Sequence, residues 1–446
     1  MSNPSSVTLR EALKFWTKLG FISFGGPAGQ IAVLHQELVE KRRWISEQRF
    51  LHALNYCMLL PGPEAQQLVT YIGWLMHRSW GGILAGTLFV LPSLFILIGL
   101  SWVYLTFGQV PWIAAIFFGI KPAVTAIVLH AAVRIGKRTI HNQLLQWIAL
   151  GSFLAIFFLN LAFPIIVAIA AAIGYWGGKR YPEYFQQGGD HGTKESKQSG
   201  SAIIDDHTPT PEHAIFSYAK TFRHSLVAAA CWLLPIGALI TIFGWRTLFP
   251  NIAWFFTKAA LLTFGGAYAV LPYVYQGAVE QFHWLSANQM IDGLALGEAT
   301  PGPLIMVVAF VGYLAGHIQY LIGNSDPFWF GVIGACIATW FTFLPSFFFI
   351  LVGGPLIEST HGKLGFTAPL TAITAAVVGV IANLGLFFAY HVFLPRGFGG
   401  SISWIAILIC ALASLALFKF QKGVLSVLGG SALAGLVFYF ISILLG

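Results

Sequence analysis

Three carboxylates and one ammonium stand where an apolar chain should carry none. Glu64 directly follows Pro61-Gly62-Pro63, and Glu298 stands three residues before Pro301-Gly302-Pro303. Asp292 lies upstream of Glu298, and Lys121 interrupts the apolar run 111–133. Charges inside apolar spans are costly and mark ion or proton paths. A buried carboxyl can carry a proton near neutral pH, so Glu64, Glu298 and Asp292 are read as proton-coupling groups. Lys121 is read as the cation that balances an anion. Glu64 can also be merely a favourable charge at a helix start, and Asp292 an interfacial structural residue.

The glycines beside these charges suggest what is held. Gly25-Gly26 in Phe24-Gly25-Gly26-Pro27 and Gly265-Gly266 in Phe264-Gly265-Gly266-Ala267 break helices. Gly62 and Gly302 do the same inside their Pro-Gly-Pro turns. A helix restarting at Pro27 or after Pro63 exposes unpaired N–H groups and partial positive charge, which suit an oxyanion. Glycine lets the backbone approach a ligand closely. Gly25, Gly26, Pro63, Gln66, Gln67, Lys121, Gly265, Gly266, Thr300 and Gly302 are therefore the expected substrate-binding set. The competing reading is structural: tight bends and close helix packing. Lys18 and Lys258, a symmetric pair, either balance a dianion or snorkel to the interface.

The elements that must position these groups follow from composition. The 446 residues are 57% hydrophobic and 9% charged, with mean hydropathy +0.76, against about 25% charge in a soluble domain. The apolar runs are continuous over about 20 residues, which predicts membrane helices and excludes an outer-membrane barrel. In a bilayer, helix breaks are tolerated only where they are buried in protein or line a cavity. Spans are expected near 80–106, 111–133, 144–160, 163–178 and 225–244, with shorter helices at 9–24, from Pro27 to Arg43, and from Ser46.

The chain repeats itself. Aligning 15–63 on 255–303 without a gap gives 15 identities in 49 positions, including both glycine pairs and both Pro-Gly-Pro turns. Leu91-Pro92-Ser93 later matches Leu344-Pro345-Ser346. The basic clusters Lys41-Arg42-Arg43, Arg78 and Arg134 to Arg138 have no basic counterparts in the second half. By the positive-inside rule, equivalent positions lie on opposite sides, so the repeat is inverted. The expected fold is an all-α polytopic membrane protein, a tandem inverted repeat of broken-helix bundles with roughly 13 helical membrane units. Residues 1–182 form the first repeat, 183–224 a flexible cytoplasmic loop, 225–246 a connecting span and 247–446 the second repeat. The N-terminus and the loop lie inside and the C-terminus outside.

Other functions find little support. The net charge of +8 fits positive-inside topology rather than nucleic-acid binding. No cleavable signal peptide is read at residues 1–14. Cys57, Cys231, Cys336 and Cys410 are isolated and read as packing residues. The loop residues Asp190, His191, Asp205, Asp206, His207 and His213 are read as solvated rather than as a metal site. Trp44 and Trp284 are expected in the interfacial belt, and His130 as a packing histidine. No Walker A, HExxH or CxxC sequence and no nucleophile–base spacing is found, so neither an enzyme nor a cofactor is expected.

Phe24-Gly25-Gly26-Pro27 with its following amphipathic helix, Leu60-Pro61-Gly62-Pro63-Glu64-Ala65-Gln66-Gln67-Leu68 and Ala299-Thr300-Pro301-Gly302-Pro303 together resemble the chromate ion transporter family, in its long two-domain form. The resemblance covers essentially the whole chain. It implies a multi-pass protein of the cytoplasmic membrane that exports chromate in a proton-gradient-linked way, with sulfate as an analogue. The second half departs from the motif, carrying Ala267 where the first carries Pro27. The expected partners are chromate or sulfate, protons and the lipid bilayer, and a homodimer is allowed for. A passive oxyanion channel, or a transporter of another small anion, is the alternative.

Overall fold

The computed structural model describes residues 7–185, 202–205, 208–209, 211–319, 326–359, 367–397 and 399–445. Sixteen α-helices fill them. In the first half these are α1 (Leu9–Ile22), α2 (Gly26–His35), α3 (Glu47–Cys57), α4 (Glu64–Phe107), α5 (Pro111–Thr139), α6 (Gln143–Leu159) and α7 (Phe163–Arg180). Helix α8 (Tyr218–Phe243) leads to the second half: α9 (Leu248–Leu261), α10 (Ala267–Tyr275), α11 (Ala287–Ala299), α12 (Val307–Gln319), α13 (Pro327–Ser359), α14 (Thr367–Phe393), α15 (Trp404–Phe418) and α16 (Val424–Leu445). Among the described residues, six helices are long and apolar enough to cross a membrane: α4, α5, α8, α13, α14 and α16.

Each helix break sits on glycines whose backbone favours no other residue. Gly25 and Gly26 have φ of 90° and 67°, Gly265 and Gly266 80° and 98°, and Gly62 and Gly302 124° and 98°. A Cβ is disfavoured in this left-handed half of conformational space. The first-half start signals recur in the second half. Ser46 caps α3 by accepting from Arg49 N–H, and Ser286 caps α11 by accepting from Gln289 N–H, both at 3.2 Å. Both hairpins also carry a wide π turn, at Gln36–Lys41 and at Gln276–Gln281.

Helix α4 is itself folded. His77 and Arg78 leave helical geometry, Arg78 at φ 59°, and the two arms lie back to back through small residues. A Cβ on Gly82 would meet the Thr70 carbonyl at 2.9 Å, and one on Gly73 would meet the Ala85 methyl at 2.6 Å. Helices α12 and α13 make the same hairpin, with a Cβ on Gly312 meeting Ala338 at 2.8 Å. Small residues at such crossings replace the hydrophobic drive that lipid cannot supply between helices. The consequence for the site is positional: the short arm after each Pro-Gly-Pro turn starts inside the protein.

Two sequence expectations change. Trp44 and Trp284 are not belt residues but are buried at 3% and 6% exposure. Trp44 packs edge-on against Phe15 and under the Arg42 guanidinium, and Trp284 stacks on Phe282. Part of the loop segment is also ordered against the helices. Ile203 and Ile204 donate to the Arg43 and Trp44 carbonyls at 3.0 Å, Ser46 N–H returns to Ile204, and the His213 ring bonds the Trp74 carbonyl. Asp190, His191, Asp206 and His207 lie outside the described residues. Among the described residues, no three His, Cys, Asp or Glu side chains converge as metal ligands.

Candidate functional site

The two Pro-Gly-Pro turns are tied crosswise to the opposite half. Gly62 N–H donates to the Thr263 carbonyl at 2.8 Å, and Gly302 N–H donates to the Ser23 carbonyl at 2.7 Å. Ser23 and Thr263 stand at equivalent positions of the two halves, just before the double glycines. Each closes its own helix by donating its hydroxyl to the preceding turn, Ser23 to Leu19 and Thr263 to Ala259, both at 2.7 Å. So every break uses its orphan backbone groups on the other half, and the four breaks meet in one place. Buried backbone polar groups need such partners, and here two of them come from the other half.

The expected binding residues sort into two kinds. Gln66, Gln67, Thr300 and Gly302 hold the breaks together. Gln67 Nε2 donates to the Pro61 carbonyl at 2.8 Å, Gln66 Nε2 donates to Thr70 Oγ1 at 3.0 Å, and the Thr300 hydroxyl donates to the Gly297 carbonyl. The Gly302 carbonyl accepts from Gln30 Nε2 and the Pro301 carbonyl from Ser93 Oγ. The amide atoms left over, Gln66 Oε1 and Gln67 Oε1, are buried acceptors without partners, and an acceptor does not attract an anion. Pro63 precedes α4 with extended backbone and supplies its first carbonyl to Gln67 N–H.

The second kind leaves room for a Cβ in ordinary contact with its neighbours. A Cβ built on Gly26 would meet nothing nearer than the Tyr268 hydroxyl at 3.9 Å. One on Gly266 would meet only Glu64 Oε1 at 3.8 Å and Pro27 at 4.0 Å. Gly25 likewise borders only Gly29 of its own segment, at 3.7 Å, whereas Gly265 packs on Thr374. The two double-glycine breaks therefore face each other across a small gap edged by Glu64, Pro27 and Tyr268. Tyr268 donates its hydroxyl to Glu298 Oε1 at 2.5 Å, which brings the second carboxylate to the same gap. Two acids and two glycine backbones thus share one place, with one acid contributed by each half.

Sequence reasoning missed the cations nearest to it. Arg138 acts electrostatically on Glu64, and Arg134 on Glu298 and Tyr268. The sequence reading assigns Arg134 to Arg138 to topology. Their four-residue spacing on the last turns of α5 was the available signal, since it sets both guanidinium groups on one helix face. Lys121 and Asp292, by contrast, stand together elsewhere. Lys121 Nζ lies 3.3 Å from Asp292 Oδ2, and the Tyr104 hydroxyl donates to the same oxygen at 2.8 Å. Lys121 is thirteen residues from Arg134 on α5, roughly 20 Å along the helix axis. Lys18 and Lys258 are exposed, Lys258 beside the Trp254 ring. His130 packs edge-on against Phe418.

Comparison with known proteins agrees with this arrangement of two halves. The family described as "Chromate transporter" matches residues 10–175 and again 250–436. The chain is 30% identical to the chromate transport protein of Cupriavidus metallidurans over 437 residues, which is 97% of this chain and 94% of that one. It is 32% identical to the chromate transport protein of Pseudomonas aeruginosa, over 85% of this chain and 80% of that one. A short uncharacterized transporter of Bacillus subtilis, YwrA, is 31% identical over 83% of its own length but only 37% of this chain. No solved structure matches. With its paired breaks and its two matched halves, the chain belongs to the chromate transporter family.

Proposed function

We propose that this protein is a secondary transporter that moves chromate, or its analogue sulfate, across the cytoplasmic membrane. It exports chromate in a manner linked to the proton gradient. The observation that carries the reading is the gap where Gly26 and Gly266 face each other, with Glu64 and the Tyr268–Glu298 pair at its edge. A tetrahedral dianion fits backbone donors and nearby guanidinium groups, and Arg134 and Arg138 supply the positive field that draws it in. A dianion and two carboxylates of the same sign cannot share a low-dielectric space cheaply. The acids must be neutral when the anion sits beside them, so anion binding and proton binding are linked at this site. That linkage carries protons and anion together, so flux responds to a pH gradient, as it would not through a passive channel.

An inverted repeat would offer the same site to both sides of the membrane in turn. The cross-ties between the halves support a site where they meet, as expected where broken helices from two repeats approach the midplane. The test is flux of radiolabelled chromate or sulfate into proteoliposomes, with and without an imposed pH gradient. Uptake that follows the gradient supports the reading. Uptake indifferent to the gradient marks a passive oxyanion channel, and no uptake of either anion rejects the substrate class.

A further inference from the structure

The cluster of Lys121, Asp292 and Tyr104 is not part of the gap between the double glycines, yet it is built like an ion site. Asp292 is 3% exposed. One of its oxygens, Oδ2, receives both Lys121 and Tyr104, while Oδ1 is buried with no partner. A buried carboxylate oxygen without a donor is costly, and a proton placed on it removes the cost. Lys121 is a quarter exposed, and it also lines a cavity of about 480 Å³. Asn288, His391, Ser403, Tyr439 and Ser442 are the other polar groups on that wall, and the rest is largely apolar. A ligand can therefore reach the ammonium without any helix moving.

We propose that Lys121, Asp292 and Tyr104 form a second oxyanion station at the floor of this cavity, where an arriving tetrahedral dianion takes Lys121 from Asp292 and Asp292 takes one proton from the cavity water. The proposal rests on the anion-transport reading and deepens it. The station stands on α5 roughly 20 Å from Arg134, so the path has positive groups at two levels, with the glycine gap near the arginines. The competition is electrostatic. Among the described residues, Asp292 is the only carboxylate ion-paired with Lys121, and a dianion in an apolar-walled cavity attracts an ammonium more strongly than a monoanion does. Once Lys121 turns to the ligand, Asp292 is a buried charge with only the Tyr104 hydroxyl left, and protonation is its cheapest relief. The groups around Asp292 are few: Lys121 from α5, Tyr104 from α4 and, across the cavity, His391 from α14 and Tyr439 from α16. Helix α12 presents Phe310, which packs on the Tyr104 ring.

The test is calorimetric titration of the full-length protein with sulfate, which stays a dianion through neutral pH, in two buffers of different ionisation heat. The wild type is expected to bind two anions per chain, and the proton taken up with the anion at Lys121 is missing in Asp292→Asn. Lys121→Gln should bind one anion, and the double variant Lys121→Gln/Asp292→Asn should also bind one. Thermal unfolding midpoints close to wild type confirm that the variants are folded. A Lys121→Gln protein that still binds two anions overturns the proposal, as does an unchanged proton count in Asp292→Asn. So does a double variant that regains the second anion, because that is the behaviour of a structural ion pair. If the wild type binds neither sulfate nor chromate and moves neither in liposomes, the transport reading itself fails, and the variants are not needed to see it.

Discussion

The two hairpins that carry the breaks share a fold but not an environment. In α10 eight of the nine residues are buried, from Ala267 through Tyr275 with Tyr268 the exception. In α2, among its described side chains, only Gln30 and Leu34 are buried. The same holds one helix later: α11 buries Asp292, Glu298 and six neighbours, whereas α3 buries Phe50, Ala53 and Cys57. The cause is written in the residues. The π turn after α2 reads Gln36-Glu37-Leu38-Val39-Glu40-Lys41, and its charges pair locally, Lys41 with Glu37 at 2.7 Å and His35 with Glu40 and Glu47. Helix α10 instead presents Leu271, Tyr273, Val274 and Tyr275 to α7, α9 and α14. On the transport reading, one hairpin is made to stay and the other to move.

The largest expected effect tests that difference directly. Asn55 is exposed and its second-half equivalent Ala295 is 2% exposed. In a Cys336→Ser background, Asn55→Cys should react with a water-soluble maleimide roughly a hundredfold faster than Ala295→Cys, because labelling of the latter requires local opening. Saturating sulfate should slow the first and leave the second unchanged. Equal rates, or slowing at both positions, would remove the distinction between a mobile and a fixed hairpin. The next effect probes what the hairpins share. Gly62→Val and Gly302→Val each force a branched side chain into positive φ and against Ser346 or Ser93, a strain of about 1–3 kcal/mol. Both should cut chromate flux more than tenfold. The symmetry of the cross-ties is refuted if only one of them does.

Much of this arrangement was legible in the residues, and for a physical reason. Glycine and proline act locally, so both double glycines and both Pro-Gly-Pro turns announced their breaks, and Ser46 and Ser286 announced the helix starts. The burial of Trp44 and Trp284 was not legible, because an aromatic between an apolar run and a charge looks the same whether it faces lipid headgroups or a protein core. The break in α4 at His77–Arg78 agrees with the span expected to start near 80. What holds its two arms together, Gly73, Gly81 and Gly82 meeting across the turn, is a pairing visible only in three dimensions. Lys121 and Asp292 were each singled out by sequence, but their partnership spans 171 positions, and nothing in local chemistry links them.

The acids offer the sharper comparison between halves, since Glu64 follows its turn while Glu298 precedes its own. Sulfate affinity of the wild type should rise as pH falls. The charged carboxylate repels the dianion, so the bound state holds more protons than the free one, and lowering pH favours it. One linked proton gives at most about a tenfold change per pH unit. Glu64→Gln should flatten this slope and keep the affinity found at low pH. Glu298→Gln should flatten it less, because Glu298 is reached through the Tyr268 hydroxyl and stands one group further from the gap. A steeper slope in either variant contradicts the charge argument.

The smallest effect belongs to the exposed guanidinium groups. Arg134→Gln and Arg138→Gln each remove an exposed charge from the last turns of α5. Exposed charges steer a ligand more than they hold it, and salt screens them over about 10 Å at 0.1 M. Each variant should lower the initial rate of chromate uptake by roughly threefold at low ionic strength, with the deficit fading as salt rises. Arg138 acts on the first-half acid and Arg134 on the second-half acid. The losses should therefore differ in the order of the acids themselves: larger for Arg138, beside the mobile hairpin, than for Arg134, beside the fixed one. A loss that persists at high salt would instead make the guanidinium a direct ligand of the anion. It would move the binding site from between the double glycines toward the end of α5.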